Sequence, residues 1–92
     1  MAVDELSLEI EFSAGPASLE MMREALAATL ARLEAAEAVA TSVGEHVVAA
    51  AERVFAAGGG VCHLRVTCRK RQLTVVVSST DTEVFKTRRS LA

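Results

Sequence analysis

Aromatic residues are nearly missing from this sequence: it has three Phe and no Trp or Tyr among 92 residues. Its core must therefore be built from Val, Leu, Ile, Met and Ala, and recognition by stacking over exposed rings has little material. Proline occurs once, at Pro16, and three of the five glycines are consecutive, Gly58-Gly59-Gly60. Strong turn signals are thus confined to two places. The two cysteines, Cys62 and Cys68, cannot supply a disulfide framework, which points to a reducing cytoplasm. No run of about 18 apolar residues exists, so no membrane-spanning helix and no membrane partner are expected. The opening residues include the acids Asp4 and Glu5 where a secretory leader would be basic.

What is present is 51% apolar, enough for the core of one domain over residues 1–92. A domain this small buries a modest share of its surface, and much of its apolar content is alanine. Extra burial through a homodimer is therefore expected. The net charge of −2 hides an asymmetry. Residues 1–57 hold ten acidic against three basic side chains, net −7. Residues 58–92 hold seven basic against two acidic, net +5. Such a dipolar chain can pair its charges internally or across opposite faces of two copies.

Glu5 to Phe12 alternates strictly, with Leu6, Leu8, Ile10 and Phe12 on one side and Glu5, Ser7, Glu9 and Glu11 on the other. This predicts a half-buried strand within residues 1–12. Gly15-Pro16 ends it, and Ser18 is the expected N-cap of a helix whose apolar stripe is Leu19, Met22, Leu26, Leu30 and Leu33. A second stripe runs through Val39, Val43, Val47, Ala50 and Val54, widened by Val48, Ala51 and Phe55, and the glycines at 58–60 stop it. Between Leu33 and Val39 there is no Pro or Gly, only Ala and Glu, which are strong helix formers. A single helix of about 40 residues would be about 60 Å long and could not lie along strands of eight residues. Residues 17–57 are therefore expected to form two helices with a break within 33–41; a long helix shared across a dimer is the competing reading. Residues 61–79 read as a hairpin. Cys62, Leu64, Val66 and Cys68 face in, Lys70-Arg71-Gln72 makes a connection without glycine, and Leu73, Val75 and Val77 face in on the return. Residues 80–92 read as the tail of the domain: Ser79 to Thr82 breaks the strand, Glu83 to Lys86 forms a short fourth strand or a helical turn, and Thr87 to Ala92 is basic and frayed. The predicted class is a two-layer α/β sandwich (α+β) in the order β-α-α-β-β, with both helices on one face of a small, mostly antiparallel sheet.

This order resembles the N-terminal two thirds of the anti-sigma-factor serine kinases, members of the histidine-kinase-like ATPase (Bergerat) superfamily. The resemblance spans roughly residues 5–83. It rests on LSLEIEFSAGPASLEMMREAL, on the glutamate-bearing helix VATSVGEHVVAAAERVF, and on the hairpin GGGVCHLRVTCRKRQLTVVVSSTD. The resemblance implies a helix that supplies a Glu and, four residues on, a magnesium-binding Asn, followed by an Asp-x-Gly-x-Gly turn that reads adenine. Glu45 matches the first position. Ala49 stands where the asparagine belongs, Arg53 four residues further, and Ser79-Thr80-Asp81 where the turn belongs. Ala49 offers magnesium no oxygen, and Ser79 is a poor acceptor for an adenine amino group. The expected consequence is a kinase-like frame without nucleotide binding, catalysis or cofactor, working in bacterial regulation through protein contacts.

Other constellations are weaker. Glu45 and His46 are adjacent on a helix and diverge by about 100°, so they suit a solvated face better than an acid–base pair. Cys62 and His63 point to opposite sides of a strand, and Cys68 lies about 20 Å from Cys62, so a zinc site is not expected. Arg65, Arg69, Lys70 and Arg71, with Arg88 and Arg89, form the one basic group. It suggests nucleic-acid binding as an alternative, against which stands the lack of exposed aromatics. Phe85 and Leu91 lie beyond the predicted hairpin and need a partner, in their own domain or in another chain. The candidate contacts are thus Arg65, Arg69, Lys70, Arg71, Phe85, Arg88 and Arg89. A residual ATP-binding kinase remains a further alternative.

Overall fold

The computed structural model describes residues 5–80 and 82–91. Its elements are β1 (Glu5–Ser13), α1 (Ser18–Arg32), α2 (Glu37–Ala56), β2 (Val61–Arg69), β3 (Gln72–Ser79) and β4 (Thr82–Ser90). The sheet is antiparallel throughout, in the order β1-β2-β3-β4, which leaves β1 and β4 as its edges. Both helices cover one face, α1 over β1 and α2 over β2, β3 and β4. The predicted α+β class stands, with one strand more than the predicted order.

The helices form where their apolar stripes lie. Met22, Leu26 and Leu30 of α1 and Leu33 just beyond it are buried, as are Val43, Val47, Ala50, Ala51 and Val54 of α2. They meet Cys62, Leu64, Val66, Cys68, Leu73, Val75 and Val77 from the two central strands. Each buried aliphatic side chain in such a layer contributes about 1.5–3 kcal/mol by leaving water. The edge strand β1 is covered less: Leu6, Leu8 and Ile10 are half-buried and only Phe12 is fully inside.

The break between the helices falls at residues 33–36, inside the predicted window. Glu34 takes φ 54°. Its N–H donates to Ala31 O at 3.0 Å, and the Ala35 N–H donates to Leu30 O at 3.1 Å. This is a complete Schellman closure with a glutamate where glycine is usual. The same closure ends α2, with Gly58 at φ 89° and N–H bonds from Gly58 to Phe55 O and from Gly59 to Val54 O. A run of helix formers can thus reverse because the carbonyls of the last turn are satisfied on the way out.

Three local expectations are corrected. Ala17, not Ser18, is the N-cap; Ser18 sits inside the first turn and its hydroxyl donates back to Ser13 O, tying the helix to the end of β1. The hairpin loop has two residues rather than three. Lys70 and Arg71 both take positive φ, 51° and 63°, the backbone of a type I′ turn, and Gln72 already belongs to β3. The tail is more ordered than expected: the short fourth strand considered for Glu83 to Lys86 is a nine-residue β4, Thr82–Ser90, which takes in Thr87 to Ser90 where fraying was expected, while Asp81 and Ala92 lie outside the described residues. Val77 pairs with Phe85 but Ser78 with Glu83, so Val84 is the extra residue of a bulge. That bulge shifts the alternation by one, which hides the strand from a period of two.

Glu34→Gly should stabilise the chain. It removes a left-handed penalty on the order of 1 kcal/mol, offset in part by the freer unfolded chain. Thermal unfolding should rise by a few degrees. Gly59→Ala should act oppositely, because an added Cβ would sit 2.7 Å from Val54 O; a loss of about 1–3 kcal/mol is expected in urea titration.

Candidate functional site

Alternation along the strands divides the charged side chains between two faces. On the face away from the helices, β1 presents Glu5, Glu9 and Glu11, and β2 presents Arg69, Arg65 and His63 directly opposite them. Arg65 Nη2 lies 3.4 Å from Glu9 Oε1, Arg69 Nε lies 4.0 Å from Glu5 Oε1, and His63 Nε2 lies 3.8 Å from Glu11 Oε1. The two arginine pairs are largely exposed, so each contributes on the order of 0.2–1 kcal/mol. Further across the sheet, Val76 faces Lys86 and Thr74 faces Arg88. Lys86 and Arg88 have no anionic partner among the described residues. Charge on the open face therefore runs from acidic at the β1 edge, through paired, to mixed at the β4 edge, where Lys86 and Arg88 are joined by Glu83 opposite Ser78 at the other end of the strand.

The predicted basic group does not assemble into one patch. Arg65 and Arg69 meet the β1 glutamates, while Lys70 is an exposed turn residue. Arg71 turns back onto the fold. Its Nη1 donates to Leu33 O at 2.6 Å, its Nη2 to Leu91 O at 3.4 Å, and its own carbonyl accepts from the Leu91 N–H at 2.8 Å. One planar fork thus joins the end of α1, the hairpin turn and the end of β4. Arg88 and Arg89, being adjacent, point to opposite faces. Arg89 lies on the helix side, where Nη2 donates to Ser42 Oγ at 3.1 Å and Nε to Thr87 Oγ1 at 3.2 Å.

Phe85 is also on the helix side. Its ring stacks on His46 of α2 with centroids 5.7 Å apart and planes nearly parallel, at 2°. His46 Nδ1 lies 2.6 Å from Ser42 O, which places the proton on Nδ1. Phe85 and Leu91 thus find partners inside the domain. Sequence reasoning missed this contact between β4 and α2, and the open-face position of Lys86, because the bulge at Val84 conceals the phase of the strand. Thr, Val and Phe at 82, 84 and 85 were the available signal, as residues that favour strands.

The positions set against the kinase-like pattern stay apart. Glu45, Ala49 and Arg53 recur every fourth residue on the exposed side of α2. Ser79 ends β3, half-buried and paired with Thr82, and Asp81 lies outside the described residues. Between α1 and α2 runs a groove of about 470 Å³, where Ala27, Ala31, Ala40 and Gly44 are too short to fill the space above buried Leu26 and Leu30. Glu45 lines it; Ala49, Arg53 and Ser79 do not.

Cys62 and Cys68 are buried and unbridged, and burial pushes the Cys62 thiol's pKa up. His63 points to the open face instead. Among the described residues no three His, Cys, Asp or Glu side chains gather as metal ligands, and no helix is long and apolar enough to cross a membrane. No family model, curated protein or solved structure matches the chain.

Arg71→Ala should lower stability by about 1–3 kcal/mol, since two carbonyls lose a charged donor. Arg71→Lys should restore little of it, because an ammonium cannot reproduce the fork. Arg65→Ala should cost under about 1 kcal/mol in the same denaturant titration. A thiol reagent should leave both cysteines unlabelled in the native chain and label them on unfolding.

Proposed function

We propose that this chain is a regulatory protein–protein interaction module, acting without nucleotide, metal or catalysis, and that its strand edges are where partners bind. One observation carries the reading. The helices cover a single face of the sheet, and the outer strands β1 and β4, each nine residues long, have no further strand beside them among the described residues. Unpaired strand edges offer ready main-chain donors and acceptors to another chain. The separation of Arg65, Arg69, Arg71 and Arg89 into distinct contacts speaks against one continuous nucleic-acid surface. The replacement of asparagine by Ala49 speaks against a residual kinase.

The expected homodimer fits the β1 flank. Leu6, Leu8 and Ile10 are half-exposed there, and Met21 is the one exposed large hydrophobic side chain of the described residues, at 57%. A pair of antiparallel β1 strands would close about a two-fold axis and bring the two apolar rows together. A cytoplasmic setting and a role in bacterial partner switching belong to the same proposal.

Sedimentation at rising concentration should find a dimer, and Leu8→Lys with Met21→Lys should return it to monomer. Mg-ATP should leave the thermal midpoint unchanged; a rise of several degrees would overturn the non-nucleotide reading. Binding of short RNA with a steep salt dependence would favour the nucleic-acid alternative.

A further inference from the structure

From the charges of Lys86 and Arg88, which have no anionic partner among the described residues, and resting on the interaction-module reading, we infer that the β4 edge binds an extended segment of a partner protein carrying the pattern acidic–apolar–acidic. The Leu91 N–H donates to Arg71 O, across from β3. Main-chain groups alternate sides along a strand, so Arg89 and Thr87 turn theirs toward β3, while Arg88 and Lys86 turn theirs to the free edge. The same two residues hold their side chains on the open face, opposite Thr74 and Val76. An added antiparallel strand would bond to the backbones of Lys86 and Arg88. Its residues directly opposite them, two apart, would share their face. Carboxylates at those two positions would meet the ammonium and the guanidinium.

The other edge of the sheet shows the chemistry that fits. There a strand with glutamates at alternate positions, Glu5, Glu9 and Glu11, already lies against basic β2. The residue between the two acids would fall on the helix side, opposite Thr87 and beside Phe85, whose ring is half-buried against His46. An apolar side chain suits that place. Basic residues on an edge also repel most strands, so the edge is selective: an acidic strand alone gains from them.

The test uses a fluorescently tagged peptide of residues 5–13, ELSLEIEFS, as the acidic probe. Saturable binding to the full chain is expected, with NMR shift changes centred on residues 85–89. Lys86→Glu combined with Arg88→Glu should weaken binding at least tenfold. These side chains are exposed, and circular dichroism checks that the fold is kept. The charge-swapped peptide KLSLKIKFS should bind the double variant better than the natural chain, a reciprocal change that a general loss of folding cannot produce. No binding at millimolar peptide, or shift changes centred on β1 or the groove between the helices, would overturn the assignment to β4 while leaving the interaction reading intact. Polymerisation of the free chain that is lost in the double variant would overturn it too, by making the occupant a second copy. Stabilisation by Mg-ATP is the separate result that removes the interaction reading itself.

Discussion

The reversal at residues 33–36 is the constraint on which this fold depends. A helix leaves its last carbonyls without partners, and those groups must be satisfied if the end is to sit inside a domain. Here Leu30 and Ala31 accept from the residues that leave the helix, and Leu33 accepts from Arg71. Only then can α2 return beside α1 and the pair cover a sheet of eight- and nine-residue strands. Glu34 holds a left-handed conformation that costs an ordinary residue on the order of 1 kcal/mol. The surrounding hydrogen bonds and the burial of Leu33 outweigh that cost.

Arg71 extends the same constraint into the sheet. It sits in a two-residue turn where both φ values are positive, at a position that glycine or asparagine usually occupies. Arginine is needed there for its reach. A glycine would relax the turn and leave the carbonyls of Leu33 and Leu91 without their donor. Local strain is tolerated because the side chain closes a contact among three elements. The hairpin, the helix end and β4 are thereby coupled, and a residue that looks from sequence like part of a basic surface becomes part of the frame.

The sorting of charge follows from strand order. β1 is acidic and far from β4 in space, with β2 and β3 between them. The β2 cations answer the β1 acids, so the chain's marked asymmetry in charge is partly neutralised within one face. Among the described residues, Lys86 and Arg88 at the β4 edge are left without an anionic partner on that face, with Glu83 at the far end of the same strand. The kinase-like positions gain no comparable arrangement. Glu45, Ala49 and Arg53 look outward from α2, and Ser79 ends a strand. The resemblance thus describes a sequence pattern, and the open sheet supplies the surface on which a function can be proposed.

Periodicity alone determined much of this protein. The apolar stripes of α1 and α2, the alternation of β1, β2 and β3 and the α+β class follow from side-chain spacing, because burial demands a repeat of 3.6 or of 2, and the two-helix reading follows from the length a single helix would have. The pairing of β1 glutamates with β2 arginines was readable as soon as the strands were taken as neighbours. Tertiary structure alone decided the rest. The bulge at Val84 breaks the repeat that would mark β4, so its existence rests on hydrogen bonds to β3 rather than on local pattern. The roles of Arg71, Phe85 and Arg89 depend on Leu33, His46 and Ser42, which are 38, 39 and 47 residues away along the chain. Spacing in sequence reports which face a residue takes; which residue it meets there is set by the folding back of elements far apart in the chain.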